Sequence, residues 1–250
     1  MYKIRPVFHG KFYNFDKSIF TYKKDAGVKI TVPLVSYLIE GDGLCILVDT
    51  GPPDPELAKG MTHRCVEEAT FLKEELGKMG VVPEQIDFLV LTHLHWDHSY
   101  NLELFPDIPI YVQKRELQYA VAPLPSDNVP YCYDPRNGKP SWFTGFQQMK
   151  VVDGDCNVAP GIRLILLPGH TPGIQGVLVD TVEGKYLIAS DTYPLFENYE
   201  AMSPSGIHVD LKEWFASYEK TKEICDFILP GHDMKILDRS VYGEKYGIDT

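Results

Sequence analysis

The chain has 250 residues, 44% hydrophobic and 24% charged, with 24 Lys and Arg against 35 Asp and Glu for a net charge of −11. These are globular proportions that exclude a disordered or collagen-like chain, and the length suffices for a core without disulfide staples. The acidic balance excludes a nucleic-acid partner, whose binding rests on clustered Lys and Arg, but not an anionic substrate, because a bound metal reverses the field locally.

The N-terminal run MYKIRPVFHGKFYNFDKSIF has no apolar core of signal-peptide length, and no stretch approaches the ~18 apolar residues of a membrane span. The expectation is a cytoplasmic protein with no membrane partner. Cys45, Cys65, Cys132, Cys156 and Cys225 are scattered and form no Cys-x-x-Cys pair, which reads as reduced structural thiols.

In chain order, VPLVSYLIE from Val32 reads as a strand, Gly-Asp-Gly as a turn, and LCILVDTG as a second strand, ended by Pro52-Pro53. Residues from Glu67 to Met79 have helical spacing, with Phe71, Leu72, Leu76 and Met79 on one face. IDFLVLTH follows as a strand buried on both faces, then a short helix near Leu102, the strand IPIYV and a helix from Lys114 to Val121. Residues 123–146, rich in Pro, aromatics and turn formers, are long for a connection and read as a substrate-facing loop. The strands QMKVV, IRLILL, IQGVLVD and KYLIAS come next, then a helix from Asp210 to Glu223 and the strand DFILP. Elements of both kinds mix in both halves without a linker, which predicts one α/β domain over 1–250 with two sheets and helices outside.

The chemistry concentrates where IDFLVL runs into Thr92-His93-Leu94-His95-Trp96-Asp97-His98. Imidazole and carboxylate are zinc-type ligands, and imidazole also suits iron, cobalt or nickel. In an extended segment i and i+2 point the same way, so His93 and His95 can grip one ion while Asp97 and His98 face a second position. A lone histidine is more often a surface residue than a ligand; a cluster of this density is not. Four more strands end in a candidate group: Asp49 after LCILV, His170 in PGHTPG, Asp191 after KYLIAS and His232 in PGHD. Each alone passes for a turn residue or cap, but strand ends converge at one sheet edge and can assemble a site there. His9, His63 and His208 have no such support and read as surface residues.

LVDTG, THLHWDH, LPGHTPG, SDT and PGHD together make the chain resemble the metallo-β-lactamase superfamily, and within it the N-acyl-homoserine-lactonase-like group. The resemblance implies an αββα sandwich of two mixed sheets flanked by helices, with a dinuclear metal site on one edge. It implies a first metal on His93, His95 and His170, a second on Asp97, His98 and His232, Asp191 as the bridge, and Asp49 orienting ligands from behind. The metals implied are two divalent ions, zinc first, with Fe, Co, Mn or Ni as alternatives. The chemistry that follows is hydrolysis of a lactone or related ester by a metal-activated hydroxide, with Asp97 as proton shuttle.

The lactonase group places a Tyr three residues after the bridging Asp; here Tyr193 stands two after Asp191, either binding the substrate carbonyl from a shifted turn or packing. Phe8, Phe12, Tyr13, Phe15, Phe20 and Tyr22, with Tyr131, Tyr133, Trp142, Phe143 and Phe146 of the loop, are candidates to wall an apolar pocket, the plainer reading being packing or a homodimer contact. Trp96 reads as packing. Among the alternatives, a glyoxalase-II-like thioester hydrolase shares every ligand but normally adds a basic helical C-terminal region, whereas this chain ends 18 residues after His232. A common β-lactamase would carry Cys at Asp191. A di-iron redox protein usually has Glu at His95 and a flavin domain, and a metal-binding protein without turnover should have lost ligands.

Overall fold

In the computed structural model, which describes residues 1–244, the chain opens with two long antiparallel strands, β1 (Tyr2–Asp16) and β2 (Lys29–Gly41). Asp42 and Gly43 turn it into β3 (Leu44–Val48); their φ angles of 47° and 80° suit the two-residue hairpin loop whose twist matches its strands. Past α1 (Pro55–Thr62) and α2 (Leu72–Lys78), β4 (Phe88–Val90) and β5 (Ile110–Gln113) add in parallel, and α3 (Lys114–Val121) follows. A small hairpin of β6 (Tyr133–Asp134) and β7 (Lys139–Pro140) precedes β8 (Met149–Val152), which completes a six-stranded sheet in the order β1-β2-β3-β4-β5-β8.

The second sheet takes β9 (Cys156–Ala159), β10 (Ile162–Leu166), β11 (Gln175–Asp180) and β12 (Lys185–Ser190) as an antiparallel series. After α4 (Phe196–Glu200) and α5 (Leu211–Ile224), β13 (Phe227–Pro230) joins β12 in parallel, giving five strands in the order β13-β12-β11-β10-β9.

Two-residue alternation assigns the faces. Tyr37, Ile39, Ile46, Val48 and Val90 of the first sheet meet Leu164, Val177, Val179, Ile188 and Leu229 of the second in the inter-sheet core. Leu38, Leu47 and Leu89, one residue out of phase, pack outward under Leu72 and Leu76 of α2 and Ala120 of α3. Ile165, Leu178 and Leu187 pack outward under Trp214 of α5, itself fully buried. Every strand that is apolar on both faces therefore lies between another sheet and a helix, which is the αββα sandwich of two mixed sheets that the motifs implied. Truncating a side chain such as Trp214 would cost about 3–5 kcal/mol.

The helix at Lys114–Val121 and the hairpin at residues 41–44 stand where the sequence placed them. β1 was not foreseen as a strand, nor was α1, and the helix expected from Glu67 begins only at Leu72. The helix expected near Leu102 is a single 3-10 turn over Leu102–Leu104.

Candidate metal centre and pocket

All the candidate ligands follow the C-terminal ends of strands, at one edge of the sandwich. Two of these turns hold non-glycine residues in the left-handed region, Asp49 at φ 63° and Ser190 at φ 47°, conformations kept only where the surroundings over-determine them. For Asp49 the cause is visible. Its Oδ1 accepts the Thr92 N–H at 2.7 Å, and its Oδ2 accepts the Thr92 hydroxyl and His98 Nδ1, each at 2.8 Å. With its proton committed to Asp49, the Thr92 hydroxyl accepts from His93 Nδ1 at 3.0 Å, leaving His93 Nε2 bare toward the centre. His170 Nδ1 donates to the Ile207 carbonyl and His232 Nδ1 to the Pro33 carbonyl, both at 2.9 Å, which aims their Nε2 atoms inward as well. Gly231 makes room for this approach, since a Cβ there would stand 2.0 Å from Asp191 Oδ1.

The inward atoms form three overlapping groups, each within 4.8 Å: His93, His95 and His170; His93, His98 and Asp191; Asp97, His98 and His232. His95 Nδ1 lies 3.0 Å from His93 Nε2 and 3.2 Å from His170 Nε2. Asp191 stands between the outer groups, Oδ2 3.6 Å from His170 Nε2 and Oδ1 3.1 Å from His232 Nε2. Asp97 Oδ2 is 3.8 Å from both His98 Nε2 and His232 Nε2.

The arrangement fits cations. His98 Nε2 and Asp191 Oδ1 are buried without a hydrogen bond, a costly state for a polar atom. Burial pushes His93, His95 and His170 below the ordinary imidazole value, so they are neutral donors. Burial opposes a charged His98 too, but Asp97, Asp191 and Asp49 outweigh it and raise it to about 10. His232 is likewise raised by Asp191 against its burial. Asp191 itself stays ionised far below the carboxylate range in spite of burial, held there by His232 and His98. The carboxylates call for positive charge in their midst; divalent cations supply it and leave the imidazoles neutral.

Over the centre opens a cavity of about 420 Å³, in the range of small-ligand pockets. Phe12, Phe15, Ile19 and Phe20 of the N-terminal segment and Ser126, Asp127, Val129 and Pro130 of the loop supply its walls, and His95, Asp97, His170, Asp191 and His232 its floor. Phe20 stacks on His232 with centroids 5.1 Å apart, and Phe15 stacks on Phe20 at 5.0 Å. Trp96 both packs against Phe12 and lines the cavity.

Several expectations need correction. Tyr193 does not face the pocket: it is fully buried under α5, beside Trp214 and Tyr199, and its hydroxyl donates to Thr221 Oγ1 at 2.9 Å. The turn that carries Tyr193 N–H to the Ser190 carbonyl swings the ring to the helix side of the sheet. Tyr131, Tyr133, Trp142, Phe143 and Phe146 do not line the pocket either; Ser126, Asp127, Val129 and Pro130 of their loop do. Tyr133, Phe143 and Phe146 are exposed and Trp142 packs on the outer face of the first sheet. Phe8, Tyr13 and Tyr22 also stay outside the lining. His9 is buried rather than exposed: it stands at the bulge of β1 between Phe8 and Gly10, and its Nε2 meets Ser36 Oγ at 2.7 Å. Burial and the nearby His98 hold it down to about 3. His63 is exposed, and His208 is half-buried with Nδ1 on the Ser205 carbonyl.

Glu116 went unnoticed in the sequence. Its carboxylate is fully buried; Oε1 accepts the Leu94 N–H at 2.9 Å and the Tyr131 hydroxyl at 2.6 Å, Oε2 the Thr171 hydroxyl at 2.5 Å and the Gly173 N–H at 3.2 Å. Burial pushes this carboxyl up, against the pull of those four donors. One side chain thus ties the His93–His95 segment to the His170 turn and to Tyr131, whose ring sits edge-on to His95 at 4.6 Å. Gly173 permits it, since a Cβ there would lie 2.0 Å from the Glu116 nitrogen. No signal in the sequence set it apart, since Glu116 follows two other charged residues, Lys114 and Arg115, in the first turn of α3.

A family model described as the metallo-beta-lactamase superfamily matches residues 32–232, and the chain belongs to that superfamily. It is a metal-dependent hydrolase of the dinuclear kind, with the His and Asp groups for such a centre gathered at one edge. Among its relatives is an N-acyl homoserine lactonase of Bacillus cereus, 28% identical over 225 residues that cover 84% of each chain. A solved structure of an N-acyl homoserine lactone hydrolase, with the product N-hexanoyl-L-homoserine at its catalytic metal centre, matches at TM-score 0.78 and 25% identity, covering 94% of this chain and 95% of that one. AidC, a dizinc quorum-quenching lactonase, matches at TM-score 0.69 and 20% identity over 93% of this chain and 88% of that one, a likeness of fold alone. No helix among the described residues is long and apolar enough to cross a membrane.

Proposed function

We propose that the protein hydrolyses the ring ester of N-acyl homoserine lactones or closely related lactones. In this reading His93, His95 and His170 would hold one divalent cation and Asp97, His98 and His232 a second, with Asp191 available to both, while Asp49 orients His93, through Thr92, and His98. The observation that carries it is the pair of donor groups facing each other across Asp191 on the floor of an apolar pocket. Zinc suits imidazole and carboxylate donors best, with Fe, Co, Mn or Ni as lesser fits. A cytoplasmic setting and a homodimer belong to the same reading, and cell fractionation and sedimentation test them.

Two cations bound here would supply Lewis acidity toward the ring carbonyl and a nucleophilic water at neutral pH. The chain's own residues do the rest. Phe12, Phe15, Phe20 and Trp96 take the acyl chain and keep bulk water from the centre, with residues 126–130 closing the far side as part of a substrate-facing loop, 123–146, within a single domain. Asp97 opens into the pocket, its side chain 14% exposed where Asp191 is 6% exposed, so its Oδ2 can take the proton of the attacking water. It returns that proton to the ring oxygen as the C–O bond breaks, leaving an N-acyl homoserine. The imidazoles, fixed from behind by Thr92, Ile207 and Pro33, need not reorganise during the reaction.

A substrate panel tests the reading. Metal-loaded protein should open N-hexanoyl-L-homoserine lactone with a kcat/KM far above that for S-lactoylglutathione or a penicillin. Turnover of the thioester with no lactone opening would replace it with the thioester reading.

A further inference from the structure

One cation in the pocket lining has no ion-pair partner among the described residues. The C-cap His63, at φ 59°, turns the chain out of α1, and the Arg64 N–H donates to Thr62 Oγ1 at 3.2 Å. Its guanidinium then lies over the Phe15 ring at 4.7 Å and lines the cavity, the only Arg or Lys to do so among the described residues. Arg5, Arg115, Arg136 and Arg239 each pair with a carboxylate. Arg64 has no such partner among the described residues, although three carboxylates share its cavity. Asp127 accepts from the Tyr119 hydroxyl, Asp191 faces His232, and Asp97 faces His98 and His232. Burial works against the Arg64 charge, with Asp97 partly restoring it. A chain of ring contacts, Arg64 on Phe15, Phe15 on Phe20 and Phe20 on His232, leads from the guanidinium to the centre, so the far part of a substrate lying along those rings would reach Arg64.

We propose that Arg64, braced on Phe15, is a subsite selecting substrates whose acyl portion carries a carboxylate, so that this protein prefers acidic acyl lactones to plain alkyl ones. This rests on the lactone reading above and names its substrate class. A guanidinium presents a planar fork of donors that a carboxylate fills with two parallel hydrogen bonds, and such pairs gain strength where water is partly excluded. A plain alkyl chain lying along Phe12 and Phe15 leaves those donors unmatched. Asp127, an acidic group lining the same cavity, works against an anion and sharpens the dependence on Arg64.

Binding separates this claim from turnover. Metal-loaded wild type, Arg64→Met and Arg64→Lys are titrated by calorimetry with the ring-opened compounds N-adipoyl-homoserine and N-hexanoyl-homoserine, equal in carbon count and differing in one terminal carboxylate. The ratio of the two affinities should favour adipoyl in the wild type, fall about tenfold or more in Arg64→Met, and lie between in Arg64→Lys, which keeps the charge but loses the fork. The kcat/KM ratio for the matching lactones should follow, chiefly through KM. A ratio that moves less than twofold in Arg64→Met, or that favours hexanoyl in the wild type, overturns the subsite. Failure to open either lactone while the binding ratio still follows Arg64 overturns the lactonase reading alone.

Discussion

The floor and the walls of the pocket are built in different ways. On the floor, Asp49, Thr92, Glu116 and the carbonyls of Pro33 and Ile207 hold the inward-facing groups by hydrogen bonds mostly between 2.5 and 3.0 Å, drawing on both sheets. The walls are held by ring stacking and by one short loop, and the polar side chains in them, Arg64 and Asp127, make few ties. A hydrogen-bonded floor fixes chemistry that tolerates little displacement. Stacked walls allow side chains to change with substrate while the floor stays as it is.

The comparison breaks most severely at Asp191, the proposed bridge. Asp191→Ala should lose tightly bound metal and lower kcat by at least about 10²–10³-fold, read by metal analysis of dialysed protein beside the assay. Retention of two metals would remove Asp191 from its bridging role. Asp97→Asn should bind metal more weakly and lose rate strongly; a wild-type rate would remove the shuttle.

Glu116→Gln tests whether the floor acts as one unit. An amide NH₂ would face two donors, costing about 1–3 kcal/mol, and metal affinity should fall about 10–100-fold although Glu116 touches no metal. Urea unfolding and a competitive metal titration read the two effects; a loss of stability at full metal affinity would reduce Glu116 to packing.

A smaller effect belongs to the loop. Arg136 and the Tyr100 hydroxyl grip Asp134 and hold its carboxyl down to about 2, from an ordinary 3.8. A depressed carboxylate stabilises the fold above its unfolded value and loses that contribution as pH falls through the folded one. Asp134→Asn should therefore cost about 1 kcal/mol near neutrality, the exposed Arg136 screening the rest, and its gap from wild type should close between about pH 4 and 2. A gap in urea unfolding that does not vary with pH would contradict this. Least is expected of Tyr193→Phe, which removes the bond to Thr221 for about 1 kcal/mol and should leave kcat within twofold.

The floor was legible in the sequence because metal ligation demands particular residue types at strand ends, and the chain order of Asp49, THLHWDH, His170, Asp191 and His232 preserves them. The sandwich was legible for a related reason, since strands apolar on both faces must lie between two layers. The walls were not. Arg64 and Glu116 reach the site through space from the end of α1 and from α3, with no spacing that links them to the motifs. Tyr193 misled because distance from Asp191 along the chain says nothing of which side of the sheet a turn delivers a ring to. His9 misled because β1 was not foreseen as a strand, so nothing marked it as lying inside a sheet.

The central claim is that two cations in one site open a lactone. Metal-free protein given increasing zinc should open N-hexanoyl-L-homoserine lactone at a rate that rises and levels off at two equivalents per chain. A rate that saturates at one equivalent, or that ignores added metal, would contradict it.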